Sequence, residues 1–422
     1  MTQTTTARSS LQSLLVLLVG IAVVVTALTL VAGWELPVVI GAILTIVMLH
    51  EFGHYITAKR AGMLVADFFV GFGPVLWSTT IGETRYGIRA LPLGGFVKVP
   101  GMTWGDTIDP ALERRTYRSA SYPRKVIFAS AGSFMHLLIA LALAWSSLVF
   151  IGTPQPSHVG VAGFEVWQGQ QVNAAQAAGL KSGDRILAID GHRMTSLDQV
   201  IAEVRSHANR SIELTVQRGS AQLVLHATPQ DGRTLRVGGA PLATGKTPQG
   251  FLGIQLQEQV APTSWWSAIP RSLGIVRSTI AQATAAMVHV FSPSEVTTIV
   301  HDVTSPAAAK SPSAQLTRPV SIVGVVRIAD QAAQSNVPAF LLILINLNIF
   351  VGLLNMLPML PLDGGYVAIA TYERLRRRRG QEYHADVNKL APVVCTFVAA
   401  LALLFFSTLY LDIVDPLINP FR

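Results

Sequence analysis

LPVVIGAILTIVMLHEFGHYITA, residues 36–58, decides the fold. The fourteen residues before His50 carry no charge, and the stretch is long enough to cross a bilayer, which needs about 20 helical residues. His50 and His54 are four apart, so on a helix they share one face and can reach one zinc ion, with Glu51 beside them as a general base. On a soluble surface helix such a five-residue pattern could arise by chance. Here that explanation loses its force, because two histidines and a carboxylate are costly at membrane depth unless they line a cavity and act there.

The rest of the chain fits a membrane protein with at least one polar domain. Half of its 422 residues are apolar and 13% are charged, against roughly 25% in a soluble domain. The one cysteine, Cys395, excludes both an internal disulfide framework and a cysteine-based zinc site. Besides 36–58, the segments 11–34, 126–152, 338–357 and 390–411 lack Asp, Glu, Lys and Arg and are long enough to span, giving about five spans. Residues 11–34 are expected to be an additional, uncleaved N-terminal span, since no clear small-residue cleavage site follows before Glu35.

Lys and Arg set the orientation. Arg8 precedes the first span; Lys59, Arg60, Arg114, Arg115, Arg118, Arg124 and Lys125 lie between spans two and three; Arg374, Arg376 to Arg379 and Lys389 lie between spans four and five. All three groups fall on one side if the N-terminus is cytoplasmic, which puts residues 153–337, with 14 Lys+Arg and 11 Asp+Glu, outside. His50 then lies about 20 Å below Pro37, in the cytoplasmic half of the bilayer. Span four carries Asn346, Asn348 and Asn355, then Pro358, Pro361, Asp363, Gly364 and Gly365. Prolines at this spacing break a helix, and irregular backbone at this depth must face protein or a water-filled cavity. Alone, Asp363-Gly364 reads as a turn. At the same depth as HEFGH, Asp363 becomes the best third ligand beside His50 and His54.

HEFGH together with NMLPMLPLDGG, residues 355–365, resembles the site-2 protease family of intramembrane zinc metalloproteases, and more closely its RseP-like group and actinobacterial members. Gly71 to Pro74 and Tyr86 to Lys98 resemble that group's membrane-associated β-hairpin, and Gly132 lies in a run resembling its third motif. Residues 178–191 (AGLKSGDRILAIDG) resemble its PDZ signature. The resemblance covers nearly the whole chain after residue 35, with two departures: the extra first span, and His136 where the motif usually has Asn. His136 is read as a packed or cavity-facing histidine and not as a ligand.

The fold class expected is a polytopic α-helical membrane protein with a cytoplasmic-side β-hairpin and an inserted extracytoplasmic α/β PDZ domain. The expected domains are the span 11–34, a core part 36–152 (hairpin region 67–100, third span 126–152), a PDZ-like domain 158–232, an amphipathic interfacial segment 262–303, a Ser/Pro/Ala-rich linker 304–319 and a second core part 338–414. Within 158–232, helices are expected at 172–178 and 197–207 and strands at 186–189, 212–216 and 223–227; its histidines show no ligand spacing. Residues 269–290 carry a narrow apolar stripe after Trp265 and Trp266, as at a membrane surface or against the spans.

The resemblance implies one Zn²⁺ per chain on His50, His54 and Asp363, Glu51 as the catalytic base, and substrate-binding roles for Asn355, Gly94 and Gly95. It also implies single-pass membrane substrates such as anti-sigma factors, cut first outside by a site-1 protease, in a bacterial plasma membrane, with the PDZ-like domain as a size filter. The run Arg376 to Arg379 is read as facing anionic lipid and not nucleic acid. A non-catalytic PDZ scaffold would predict a broken HExxH. A metal transporter would predict polar groups strung along a pathway, whereas the ionisable groups here converge at one depth.

Overall fold

A computed structural model of the chain describes residues 5–102, 108–167, 172–237, 240–243, 245–290, 292–304, 319–335, 337–377, 383, 385, 387–414 and 416. Among the described residues five helices are long and apolar enough to cross a membrane: α1 (Thr5–Ala32), α2 (Glu35–Arg60), α3 (Tyr122–Ser146, running on through a π-helical turn to Ile151), α9 (Val337–Asn355) and α11 (Ala391–Val414). The remaining helices are α4 (Ala174–Ala177), α5 (Leu197–Ser206), α6 (Trp265–Val290), α7 (Pro293–Thr304), α8 (Ile322–Ser335) and α10 (Asp363–Arg376). Residues 305–318, which make up most of the linker expected at 304–319, lie outside the described residues.

The chain divides into two compact units. The first comprises residues up to Ser147 and from Ile269 onward. At its centre α3 is packed by α2, α9 and α10. Small residues let these helices meet closely: a Cβ at Gly53 on α2 would strike the Ala131 carbonyl on α3, and one at Gly352 on α9 would lie 3.0 Å from the His136 Cβ. Ala140 and Ala144 of α3, Ile345 and Ile349 of α9 and Val276 of α6 form one buried cluster, against which Ile280 and Ala283 also pack. The middle of the stripe on α6 therefore lies against spans, while Ile269, Leu273 and the stacked Trp265 and Trp266 stay exposed. The segment expected as one interfacial stretch, 262–303, is two helices, α6 and α7.

Two further features depart from the sequence reading. Asp363 does not close the fourth span: α9 ends at Asn355, and after the turn 356–362 Asp363 opens a separate helix, α10. The last span also runs past residue 411, the end expected for it, to Val414, so that an acid lies within it. Asp412 is buried near the end of α11, where its Oδ2 accepts the Ser321 N–H at 2.7 Å and its carbonyl accepts from Arg327 at 2.9 Å. This knot fastens α8 to the foot of α11, whose preceding residues are mostly exposed.

β1 (Asp67–Ile81) and β2 (Thr84–Lys98) fold over one another twice. Residues 77–81 pair with 84–88 across the turn at Gly82, as in a simple hairpin. Residues 67–70 pair with 95–98 with numbers running oppositely, and also with 85–88 with numbers rising together. Segment 67–70 is therefore interior and 95–98 an edge. Gly87 is held between Phe69 and Ser78, where a side chain would collide with both strands. Beneath this sheet Ala58, Met63, Val65, Val99, Tyr117, Phe128 and Ala129 form a buried core.

The second unit is Leu148–Ala268, wider than the 158–232 expected, because β8 (Ile254–Ala261) returns to pair with β3 (Thr153–Phe164). Its sheet runs β8-β3-β4-β6-β7, with β4 (Arg185–Ile189), β6 (Ile212–Arg218), β7 (Ala221–Ala227) and the short β5 (His192–Arg193) beside β4. Ile186, Ile189, Ile212, Leu214, Val216 and Val200 fill its core. Gly183, at φ +90°, turns the chain so that buried Asp184 accepts the Lys181 N–H and pairs with Arg218 at 2.7 Å. The Arg218 guanidinium holds the Asp184 carboxyl below its ordinary range.

Candidate metal centre

α2 presents His50 and His54 one turn apart toward α3, at the point where α3 has Gly132. A Cβ at Gly132 would overlap both imidazole rings, so only glycine leaves room for them. The His54 Nδ1–H donates to the Phe128 carbonyl at 2.8 Å. That bond fixes the ring and leaves the Nε2 lone pair aimed inward, the usual way a protein prepares a histidine ligand.

Asp363 arrives from the start of α10. The turn delivering it is tight enough that a Cβ at Gly364 would strike the carbonyls of Met356 and Leu357. Asp363 Oδ2 stands 3.5 Å from His50 Nε2 and 3.3 Å from His54 Nε2, and the two Nε2 atoms are 3.3 Å apart. Metal–donor bonds of 2.0–2.1 Å in tetrahedral geometry place ligand atoms about 3.3–3.4 Å from one another. The three atoms thus form one face of a zinc-sized tetrahedron. Both histidines are buried, and Asp363 Oδ2 is shielded from water with no hydrogen-bond donor. Lone-pair atoms crowded without donors are unfavourable until a cation joins them. The residues therefore fit zinc.

Glu51 is half-buried and follows His50 directly. The β2 backbone passes over it: a Cβ at Gly95 would lie 3.1 Å from the Glu51 Cγ and 3.0 Å from the Met48 sulfur. Gly94, at φ +155°, approaches the Phe72 ring. The sheet thus brings its 94–98 edge to the carboxylate that the sequence nominates as base.

Asn355 ends α9 and is half-buried. The asparagine that does reach the interior is Asn348, two turns earlier and wholly buried. Its Nδ2 donates to the Leu344 carbonyl, so its Oδ1 accepts the His136 Nδ1–H at 3.0 Å. The His136 ring centroid is 5.0 Å from that of His50, yet His136 is not among the three converging donors. His136 and Asn348 are among the polar residues, with Thr57, Arg60, Ser130 and Ser133, in the wall of a mostly apolar cavity of about 700 Å³ lined by α2, α3, α6 and α9. In the second unit, His207 lies near Asp190 and Glu203, a grouping the sequence spacing did not suggest; it is solvent-facing, and Asp190 already accepts the Glu213 N–H.

The pattern of peptidase family M50 matches residues 38–399. Zinc metalloprotease Rip1 of Mycobacterium tuberculosis is 31% identical over 402 residues, 90% of this chain and 96% of that protein. Zinc metalloprotease Rip1 of Mycolicibacterium smegmatis is 31% identical over 405 residues, 89% and 96% respectively. The chloroplastic membrane metalloprotease ARASP of Arabidopsis thaliana is 26% identical over 392 residues, 90% and 80% respectively.

Proposed function

The chain belongs to peptidase family M50 and is a multi-pass membrane zinc metalloprotease, and we propose that His50, His54 and Asp363 hold its zinc while Glu51 moves the protons of peptide hydrolysis. The observation that carries this reading is the convergence of three lone-pair atoms from α2 and α10 at 3.3–3.5 Å beside Glu51. Bound zinc supplies a Lewis acid for the scissile carbonyl and the attacking water. Glu51 accepts a proton from that water and delivers it to the leaving amine. Phe128 holds the His54 ring in place through its carbonyl, and the packed helices keep bulk water from the histidines.

A peptide bond inside a transmembrane helix is shielded by the helix's own hydrogen bonds. The substrate must therefore unwind, and the 95–98 edge offers it a strand to pair with. Gly94 and Gly95 let that backbone pass close to Glu51, and Asn355 contacts the substrate chain beyond it. We assign substrates to single-pass membrane proteins of the anti-sigma-factor type, cut first outside by a site-1 protease. Unit 148–268, read as a PDZ-like domain on the outer face of a bacterial plasma membrane, admits trimmed substrates and excludes bulky ones. The sheet of β1 and β2 lies on the cytoplasmic side, where anionic lipid meets the Lys and Arg clusters.

The test is zinc content and cleavage of a transmembrane peptide substrate, measured together in nanodiscs. Glu51→Ala keeps its zinc and loses about 10²–10⁴-fold in turnover. His50→Ala, His54→Ala and Asp363→Ala each lose zinc. Full zinc and full turnover in Asp363→Ala would overturn the ligand set.

A further inference from the structure

The cavity of about 700 Å³ lies beside the metal centre, yet none of His50, Glu51, His54 and Asp363 lines it. It follows α3 from Ile127 to Leu138, about 16 Å of helix, and α2 from Phe52 to its last residue, Arg60. One leaflet of a hydrocarbon core about 30 Å thick is about 15 Å deep. The cavity is thus a slot that reaches from the end of a span to the middle of a bilayer. Phe52, Ile127, Phe134 and Leu138 on its rim are exposed although each sits on a candidate span, so the slot opens sideways toward lipid. Its wall keeps its polar groups to itself. Thr57 Oγ1 donates to the Gly53 carbonyl and Ser130 Oγ to the Val126 carbonyl, both at 2.8 Å, and His136 bonds to Asn348. Among the described residues, Ser133 Oγ is the one buried side-chain atom of the wall without a partner. The open charge is at the interfacial end. Arg60 is exposed and has no ion pair among the described residues, the nearby Glu83 being taken by Lys59 and Arg115.

We propose that this slot holds an acyl chain of one acidic phospholipid, whose phosphate pairs with Arg60. The dimensions and chemistry of the wall select this occupant. A volume of 700 Å³ spread over about 16 Å leaves a cross-section of about 40 Å², roughly half that of a helix about 10 Å across, so a substrate helix does not fit. An extended peptide would bring N–H and C=O groups that this wall cannot satisfy. A hydrocarbon chain has no such groups and gains dispersion contacts along the whole slot. Its charged head then meets an unpaired guanidinium, whose planar fork suits a phosphate. Such a site differs from the general attraction of basic clusters to a lipid surface, because it keeps one molecule in one place. Gly53 and Ala131, where α2 and α3 touch most closely, are part of the wall. The bound chain therefore braces that contact from behind, one residue from His54 and one from Gly132.

Binding rests on the chain being a membrane protein and is read without zinc or proteolysis, so its fate is separate from that of the catalytic assignment. Full-length protein is placed in nanodiscs of mixed phosphatidylcholine and phosphatidylglycerol and released into mild detergent, and the lipid it retains is weighed by native mass spectrometry. Wild type is expected to retain phosphatidylglycerol in preference to phosphatidylcholine. Arg60→Gln retains it about tenfold less, the scale of a lost charge-assisted pair. Arg124→Gln, which removes the same charge from the start of α3 outside the slot, retains it as wild type does. Leu138→Trp, which fills the deep end of the slot, loses both lipids. Retention equal to wild type in either Arg60→Gln or Leu138→Trp overturns the site. A wild type that retains no lipid also overturns it, and crosslinking of a transmembrane substrate peptide to a photoreactive residue at position 138 would then give the slot to the substrate. Should Leu138→Trp fail to fold, the exposed Arg60 decides: a tenfold loss in Arg60→Gln beside an unchanged Arg124→Gln supports the site, and equal retention in the two overturns it.

Discussion

Gly132 sets the spacing of the metal centre although it has no side chain with which to touch anything. Because a methyl there would overlap His50 and His54, Gly132→Ala must push the rings or part α3 from α2. Over-packing of this kind costs about 1–3 kcal/mol. Borne by the ligand geometry, that is about one to two decades in zinc affinity. The expected outcome is a monodisperse protein with reduced zinc by mass spectrometry and reduced cleavage; undiminished zinc would show that α3 yields without disturbing the ligands. At this scale the sequence was informative where chemistry and period coincide. The four-residue step from His50 to His54 and the Asp-Gly-Gly after two prolines both announce their geometry. It was silent on Asn348 and Asp412. Asn348 looks like any polar residue on a span until His136, 212 positions away, is found against it. Asp412 stands at the ragged end of an apolar run, where an acid ordinarily marks the return to water.

At the scale of elements, the spans are legible to within a few residues because lipid demands unbroken apolar length. The amphipathic α8 is not: its 14 residues fall short of a span and follow a Ser/Pro/Ala-rich tract. The doubled sheet is hidden for another reason. Alternation shows that residues are extended but not which neighbour they take, and 67–70 take two. The turn end of that sheet is tethered by Glu83, which receives Lys59 at 2.9 Å and Arg115 at 2.8 Å. The Arg115 hydrogen bond first, and Lys59 second, hold its carboxyl down to about 2. A depressed carboxylate stabilises the folded state above its ordinary value of 4.5 and loses that contribution as pH falls through its folded value. Wild type should therefore unfold at a higher temperature than Glu83→Gln at pH 6, with the difference shrinking from pH 4.5 toward 2. The partners are partly exposed, so the difference is small and weakens with salt. A difference that grew on acidification would refute the tether.

At the scale of the whole chain, the proposed orientation rests on where Lys and Arg lie among five candidate spans. It predicts that Ser220→Cys, at the turn between β6 and β7, reacts with an impermeant thiol reagent in intact cells, while Ser119→Cys does not; the only native cysteine, Cys395, is replaced beforehand. The reverse pattern would invert the topology and move the metal centre to the outer half of the bilayer. The last span adds a mechanical property. α11 is fixed at its foot, where Asp412 is knotted to Ser321 and Arg327, and is mostly exposed toward Ala391. A rod of 24 residues held at its foot is a lever about 36 Å long. Leaning by about 10° at the knot sweeps its Ala391 end through about 6 Å. The span can thus act as a swinging post at the flank of the helix cluster, and Asp412→Asn, by loosening its pivot, would broaden spin-label distances between the Ala391 end and α3.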